Sequence, residues 1–398
     1  MRLIKLFNSK YQIKITQHMN ILEQSYNTLI PIGVGGFSKV FRATHKKTGV
    51  NVAIKMIPKK INNDDSDYEA KIQKEIEIMK IVKHPFIVEL FDIVETDDEY
   101  FLIMDYASQG SILSNINEHG AFSEDEASII FAQIILVIKH LQQTCRIAHR
   151  DIKAENVLLD ENRNIRVIDF GLSCLNLNGE MMKTQCGSPP YASPELILGW
   201  QYTFASDIWS CGILLYIMVC KSMPFYDENL TTLANKILFA EVEYPETLSP
   251  CLVDLLQKML TKNPQNRISL DEILAHPWVA NNVKYVSEKL DEFKLSFSYI
   301  SQKLKEIGYD YDAIAGNLSD GVVNEGTVSY NILEKDFYNK NFPNLYRIPI
   351  VRGNRYASYS HYENLPPLNT PIGMKKLITP VGIIRNRKRS CHRVSRLI

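Results

Sequence analysis

Apolar side chains change their spacing along this chain, and the change divides it. Over residues 27–105 they fall in short runs and at period two, as in Val52-Ala53-Ile54-Lys55-Met56-Ile57 and Tyr100-Phe101-Leu102-Ile103-Met104. That is the signature of strands, here around a single helix that includes Lys74-Glu75-Ile76-Glu77-Ile78-Met79. Residues 123–144 and 205–220 have helical length and a helical period instead. The pattern predicts a small β-rich lobe and a large helical lobe with a cleft between them. Residues 280–298 are charged and helical in character, a connector. Helical apolar spacing returns at Ile300, Leu304 and Ile307, and again at Ile314, Leu318, Tyr330 and Leu333. Beyond residue 339 Pro, Asn and Tyr dominate with few aliphatic clusters, a composition that predicts a largely disordered tail.

Bulk properties narrow the class. A chain of 398 residues has room for two domains or so, at roughly 150 residues each. Its 45% hydrophobic and 23% charged residues are those of a soluble globular protein. Seven cysteines, odd in number and without a C-x-x-C pair, speak against a disulfide framework or a zinc site. They suit a reducing cytoplasm or nucleus. Residues 1–26 form an N-terminal extension in which Lys5 interrupts any signal-peptide core. No apolar run approaches the roughly 18 residues of a spanning helix, so no transmembrane segment is expected.

Charge is balanced overall, 45 basic against 45 acidic residues, but segregated. Residues 340–398 hold twelve Lys and Arg against Glu363 alone, +11 (12 − 1), which leaves −11 for the rest. The run Arg385-Asn386-Arg387-Lys388-Arg389-Ser390-Cys391-His392-Arg393 could engage nuclear import machinery, acidic lipid or nucleic acid. A solvated tail without a dedicated partner fits it equally well. Arg387-Lys388-Arg389-Ser390 also has the form of a basophilic phosphorylation site.

The chemistry is concentrated in residues 149–171. His149-Arg150-Asp151-Ile152-Lys153-Ala154-Glu155-Asn156 is followed by Asp169-Phe170-Gly171, the two aspartates standing 18 positions apart (169 − 151). That spacing leaves room for a short hairpin, so one loop can orient a hydroxyl while the next holds magnesium. Either motif alone is common. Both together, with Lys153 and Asn156 in register, resemble a eukaryotic protein kinase.

The resemblance implies an α+β, bilobal protein kinase fold over residues 27–279, using ATP and Mg2+. Gly33-Val34-Gly35-Gly36-Phe37-Ser38-Lys39-Val40 is similar to the glycine-rich turn over the phosphates, with Ser38 at the place of the third glycine. Lys55 would hold the α- and β-phosphates and pair with Glu75, whose rival Glu77 lies on another helix face. Met104 would stand behind adenine, and Asp105 and Ala107 would offer backbone groups to its edge. Ile32, Val34, Val40, Ala53 and Leu158 complete the implied ATP site. Asp169 and Asn156 would hold magnesium, Lys153 would stabilise the moving phosphoryl, and Asp151 would orient the acceptor hydroxyl and accept its proton. Downstream, Ser193-Pro194-Glu195 stands for Ala-Pro-Glu, with Arg267 as the expected partner of Glu195. Asp207 of Asp207-Ile208-Trp209-Ser210-Cys211-Gly212 should brace the catalytic loop, and His276-Pro277-Trp278 resembles the domain's end.

Lys153 and Ser188 follow the serine/threonine pattern. Lys183-Thr184-Gln185-Cys186-Gly187-Ser188-Pro189-Pro190-Tyr191 resembles the activation segment of kinases related to the AMP-activated kinase, within the calcium/calmodulin-dependent group. Thr184 is then the candidate site for an upstream activating kinase, with Arg150 as the partner of its phosphate. Glu155 fits a substrate arginine, although Ser111 stands where many relatives have glutamate. No calmodulin-binding helix stands out past residue 280. Residues 299–338, with Gly308-Tyr309, resemble the ubiquitin-associated-like three-helix module of these kinases; a generic helical hairpin is the alternative. A catalytically weak nucleotide-binding scaffold acting through the C-terminal region is the competing function, and a small-molecule phosphotransferase a third. The intact Lys55, Asp151, Asn156 and Asp169 set speaks against the scaffold.

Overall fold

The computed structural model of the chain describes residues 21–34, 38–60, 66–175 and 188–345. Gly35, Gly36, Phe37, Thr184, the first twenty residues and the basic tail lie outside the described residues. Five antiparallel strands open the fold: β1 (Tyr26–Val34), β2 (Lys39–His45), β3 (Asn51–Pro58), β4 (Leu90–Glu95) and β5 (Glu99–Asp105). Their order is β1-β2-β3-β5-β4, with α1 (Ser66–Ile81) between β3 and β4 in the chain.

β3 and β5 pair side by side and are apolar on both faces, so both faces must be covered. Ala53, Ile57, Tyr100 and Leu102 pack toward Ile72 and Ile76 of α1. Val52, Ile54, Met56, Phe101 and Ile103 point the other way and form a second cluster, which a helix from the far end of the described chain completes.

The large lobe contains α2 (Ile112–His119) and α3 (Glu124–Lys139), the latter running on into a π-helical turn at His140–Thr144. Next come β6 (Ile147–Ala148), the hairpin of β7 (Val157–Leu159) and β8 (Ile165–Val167), and β9 (Cys174–Leu175), which pairs with β6. The helices α4 (Pro194–Ile197), α5 (Phe204–Cys220), α6 (Leu230–Phe239), α7 (Pro250–Met259) and α8 (Leu270–Leu274) follow. α3 starts at a capping box, in which the Ser123 hydroxyl accepts from the Glu126 amide and Glu126 reaches back to the Ser123 amide. α5 is apolar around its circumference because it is buried along most of its length. Gly212 permits that packing: a Cβ there would meet Leu260 Cδ2 at 3.0 Å and Met259 Cβ at 3.1 Å.

Among the described residues, Glu124–Thr144 is apolar and long enough to cross a membrane. Its apolar side chains, Ala127 to Ile138, instead form the centre of the large lobe, which explains the composition.

Four helices close the described chain: α9 (Ala280–Glu292), α10 (Phe297–Glu306), α11 (Tyr311–Ser319) and α12 (Glu325–Asn341). Ile300, Leu304, Ile314 and Leu333 make a small core among the last three. α12 reaches out of it. Val328 and Ile332 cover the second face of the small-lobe sheet, while Tyr338 and Phe342 join the main core. The Phe342 ring lies 5.9 Å from Phe86 and 5.6 Å from Phe293.

Candidate active site

Strand β3 carries Lys55 into the cleft, and α1 brings Glu75 to meet it at 2.6 Å. Glu75 is buried whereas Glu77 is exposed, so helix geometry decides between them. Burial works against the Lys55 ammonium. The Glu75 and Asp169 carboxylates outweigh it and hold the lysine above its usual range. Asp169 stands 3.8 Å from Lys55, at the residue after β8 and one more, with φ of 67°. Burial would raise its carboxyl, but Lys55 and Lys153 pull it below the ordinary carboxylate value. Gly171 follows because a Cβ there would press within 3.2 Å of both the Glu75 and Asp169 carboxylates. Phe170 turns inward, its ring 5.0 Å from His149.

The loop after β6 is held from below. Asp207, near the start of α5, accepts from the backbone N–H of His149 at 3.1 Å and of Arg150 at 3.0 Å. Tyr202 donates to the same carboxylate at 2.6 Å. Arg150 sits at φ 70°, a left-handed turn that this anchor stabilises. Above it, Asp151 gathers three donors. Lys153 Nζ is 2.6 Å from Oδ2, Asn156 Nδ2 donates to Oδ2 at 2.9 Å, and Ser188 Oγ donates to Oδ1 at 3.2 Å. Lys153 also donates to Ser188 Oγ at 3.0 Å, tying the start of the peptide-holding segment to the catalytic loop.

Glu195 and Arg267 form a buried two-pronged pair, 2.8 Å at each contact. Burial would raise the Glu195 carboxyl, but Arg267 holds it below its usual range. Glu155 accepts from Tyr191 at 3.3 Å, and its burial raises its pKa. The Ser111 hydroxyl accepts from the Ser114 amide and caps α2.

Of the apolar residues expected around the nucleotide, Ala53 is buried, and Val40 and Leu158 are half-buried. Met104 faces Ala53 across the β3–β5 pair. Ala107 and Ser38 are half-buried, Gly33 is too, and Ile32 and Val34 of β1 are exposed. The Asp105 N–H is taken by the Glu89 carbonyl at 3.0 Å. Its side chain lies in a buried charge cluster with Arg166, Lys335 and Asn339. Sequence reasoning missed that cluster. The signal within reach was Arg166, a cation in the middle of the apolar strand β8.

The donor set suits magnesium. Asp169 is an anionic oxygen ligand with a side chain 43% exposed to the cleft. Asn156 spends its N–H on Asp151, so its carboxamide oxygen is the atom it can offer a cation. Hard oxygen donors of this kind, few in number, are how Mg2+ is held beside nucleotide phosphates.

The protein kinase domain family matches residues 26–279. An SNF1-related protein kinase catalytic subunit alpha, KIN12, of Arabidopsis thaliana is 37% identical over 337 residues, 83% of this chain and 68% of that protein. The rice serine/threonine protein kinase OSK4 (Oryza sativa subsp. indica) is 36% identical over 316 residues, 78% of this chain and 62% of its own. The carbon catabolite-derepressing protein kinase of Saccharomyces cerevisiae is 40% identical over 255 residues, 64% of this chain and 40% of its own. The chain thus spans about two thirds of the length of the first relative and less of the other two. With the family model covering both lobes and these relatives extending past it, the chain belongs to the protein kinase family, among the SNF1-related, AMP-activated-kinase-related serine/threonine kinases.

Proposed function

We propose that this chain is an active serine/threonine protein kinase that transfers the γ-phosphoryl group of ATP to protein hydroxyls. The observation that carries the reading is the arrangement around Asp151: a buried carboxylate contacted by Lys153, Asn156 and Ser188, facing the Lys55–Glu75–Asp169 set across the cleft. Phosphoryl transfer needs positioning and neutralisation of spread-out charge more than covalent help. Lys55, fixed by Glu75, would hold the nucleotide's phosphates. Magnesium, bound by Asp169 and Asn156, would neutralise the charge they carry. Asp151 would align the acceptor Oγ and take its proton late in transfer, and Lys153 would sit against the developing phosphoryl charge. A scaffold that only bound nucleotide would have no use for the Lys153–Asp151–Ser188 triad.

Thr184 supports a switch in this reading. Its phosphate, added by an upstream kinase, would pair with Arg150, which is anchored by Asp207 directly below Asp151. A cytoplasmic enzyme with access to the nucleus is consistent with the basic run at residues 385–393. Transfer of labelled γ-phosphate to a serine/threonine peptide array tests the proposal. Wild type treated with an activating kinase should label peptides, Asp169→Ala should abolish transfer, and Thr184→Ala should cut it by a large factor. A wild type carrying phosphate on Thr184 that labels nothing sinks the reading.

A further inference from the structure

Helix α1 is joined to the small-lobe sheet by more than the Lys55–Glu75 pair. Its apolar contact uses Ile72 and Ile76, which pack with Ile57, Tyr100 and Leu102. Tyr100 is buried, yet its hydroxyl meets two polar side chains of the helix. Gln73 Nε2 donates to that hydroxyl at 2.7 Å, and the hydroxyl donates to Glu69 Oε1 at 3.2 Å. Glu69 and Gln73 stand four residues apart and so share one face of α1. A single phenol thereby uses a lone pair and its proton on the same helix. Burial, first, and the bond to Glu69 hold the phenol above its usual range, so it keeps the proton it donates. Gln73 is exposed and Glu69 half-buried, which places the bridge at the rim of the apolar contact. Lys59, just past β3, stands 4.9 Å from the Tyr100 ring centroid and pairs with Glu95 of β4 at 2.5 Å.

The place of this bridge gives it a bearing on the site. Tyr100 pairs with Ile57 in the β3–β5 ladder, and Leu102, two residues on, pairs with Lys55. With the strand period of two, Lys55, Ile57, Tyr100 and Leu102 belong to one face of the sheet, the face that α1 covers. On the helix, Glu75 follows Gln73 by two residues. Two polar bridges therefore join one helix to one strand pair: Tyr100 with Glu69 and Gln73, and Lys55 with Glu75 at 2.6 Å. Apolar packing is non-directional and tolerates a helix that slides or rolls on its sheet. A hydrogen bond weakens steeply with distance and angle, so it resists that movement. The Tyr100 bridge holds α1 in the register at which Glu75 meets Lys55.

We infer that Tyr100 is a positioning residue for nucleotide binding and phosphoryl transfer, acting through Gln73 and Glu69 on the placement of Glu75 against Lys55. The inference rests on the kinase reading above for its kinetic arm, but not for its binding arm.

The test uses the full chain and two readouts. Tyr100→Phe keeps the ring and removes only the hydroxyl. It should lower kcat/KM for ATP, and raise the Kd for methylanthraniloyl-ATP followed by fluorescence, about fivefold. KM for peptide should stay within about twofold. Gln73→Ala should match it, and the two changes together should add little, because both remove one contact. Glu69→Gln keeps an oxygen to accept from Tyr100 and should stay within about twofold of wild type. Ile76→Val, on the same helix, should lower the melting temperature and leave nucleotide affinity in place. Unchanged nucleotide affinity in Tyr100→Phe and Gln73→Ala would overturn the inference. So would fully additive effects in the double variant, or an equal shift in Ile76→Val. Should the wild type bind the nucleotide but transfer no phosphate, the kinase reading fails while the fluorescence arm still decides this one. A wild type that binds no nucleotide overturns both.

Discussion

The two sides of the strand end at Met104–Asp105 carry charged clusters built on opposite terms. In front, Lys55, Asp151, Lys153 and Asp169 are only partly satisfied by one another, and the Asp169 side chain is left 43% exposed. Their charges point toward space that a nucleotide, a cation and a hydroxyl would fill. Behind, Arg166, Asp105, Asp160 and Lys335 are enclosed and ion-paired with one another. The first cluster keeps interactions in reserve for chemistry; the ion pairs of the second hold two lobes and a helix in register. Damage in front should therefore remove turnover at little cost in stability, and damage behind should cost stability while leaving turnover in place.

The sharpest test of that contrast is Asp151→Asn. It keeps the size and hydrogen-bonding reach of the side chain but removes the group that accepts the hydroxyl proton. Turnover should fall by roughly 10²–10⁴-fold, the usual contribution of a positioned acid–base group, with melting shifted by no more than a few degrees. A variant that unfolded instead would erase the distinction between the two clusters.

Next in size is Ile332→Ala on α12. Ile332 is fully buried against the outer face of the small-lobe sheet. Its loss should cost about 2–5 kcal/mol of unfolding free energy, transfer and cavity terms together. Turnover of the protein that remains folded should be unchanged, as judged by single-turnover kinetics normalised to active sites. Stability left intact would mean that α12 is not a structural part of the small lobe.

The smallest effect concerns acid. His84 lies beside the rear cluster, its ring 5.1 Å from His140, with Lys335 and Arg166 near enough to oppose its charging. Burial, first, and these neighbours lower its pKa to about 3. Its Nδ1 accepts from the Phe86 amide at 3.1 Å, which protonation of that nitrogen would break. The folded pKa is below the unfolded one, so the contribution is intact above about pH 6.5 and is lost as pH falls toward 3. At pH 5 that amounts to about 2 kcal/mol. Denaturant titrations of wild type and His84→Gln at pH 7 and pH 5 should differ by an amount of that order. Equal pH dependence in the two would remove His84 from the account.

The front cluster was legible in the sequence because its chemistry dictates residue types at fixed spacing. A loop that orients a hydroxyl needs Asp151, Lys153 and Asn156 within six residues, and Asp169 must follow after one hairpin. Even the choice between Glu75 and Glu77 was a question of helix face, and burial answered it. The rear cluster obeys no such spacing. Asp105 and Lys335 are 230 positions apart (335 − 105), and charge pairs at that separation leave no local trace. One indirect signal was present in Tyr100-Phe101-Leu102-Ile103-Met104. A strand apolar at every position must bury both faces, and α1 can cover only one of them. The run demanded a second cover, although it could not say that the cover would be α12. Helix Glu124–Thr144 is apolar enough to match a membrane span in length and composition because the centre of a helical lobe and a lipid bilayer select similar side chains.

The two-faced sheet also has a consequence for synthesis. β5 is complete once residue 105 has been made, but the helix that covers Val52, Ile54, Phe101 and Ile103 ends at Asn341, 236 residues later (341 − 105). At roughly 5–20 residues per second on the ribosome, the small lobe waits on the order of 10–50 s with one apolar face bare. In that window the nascent chain offers chaperones a defined binding surface, and premature termination anywhere before α12 would release a product that keeps it exposed.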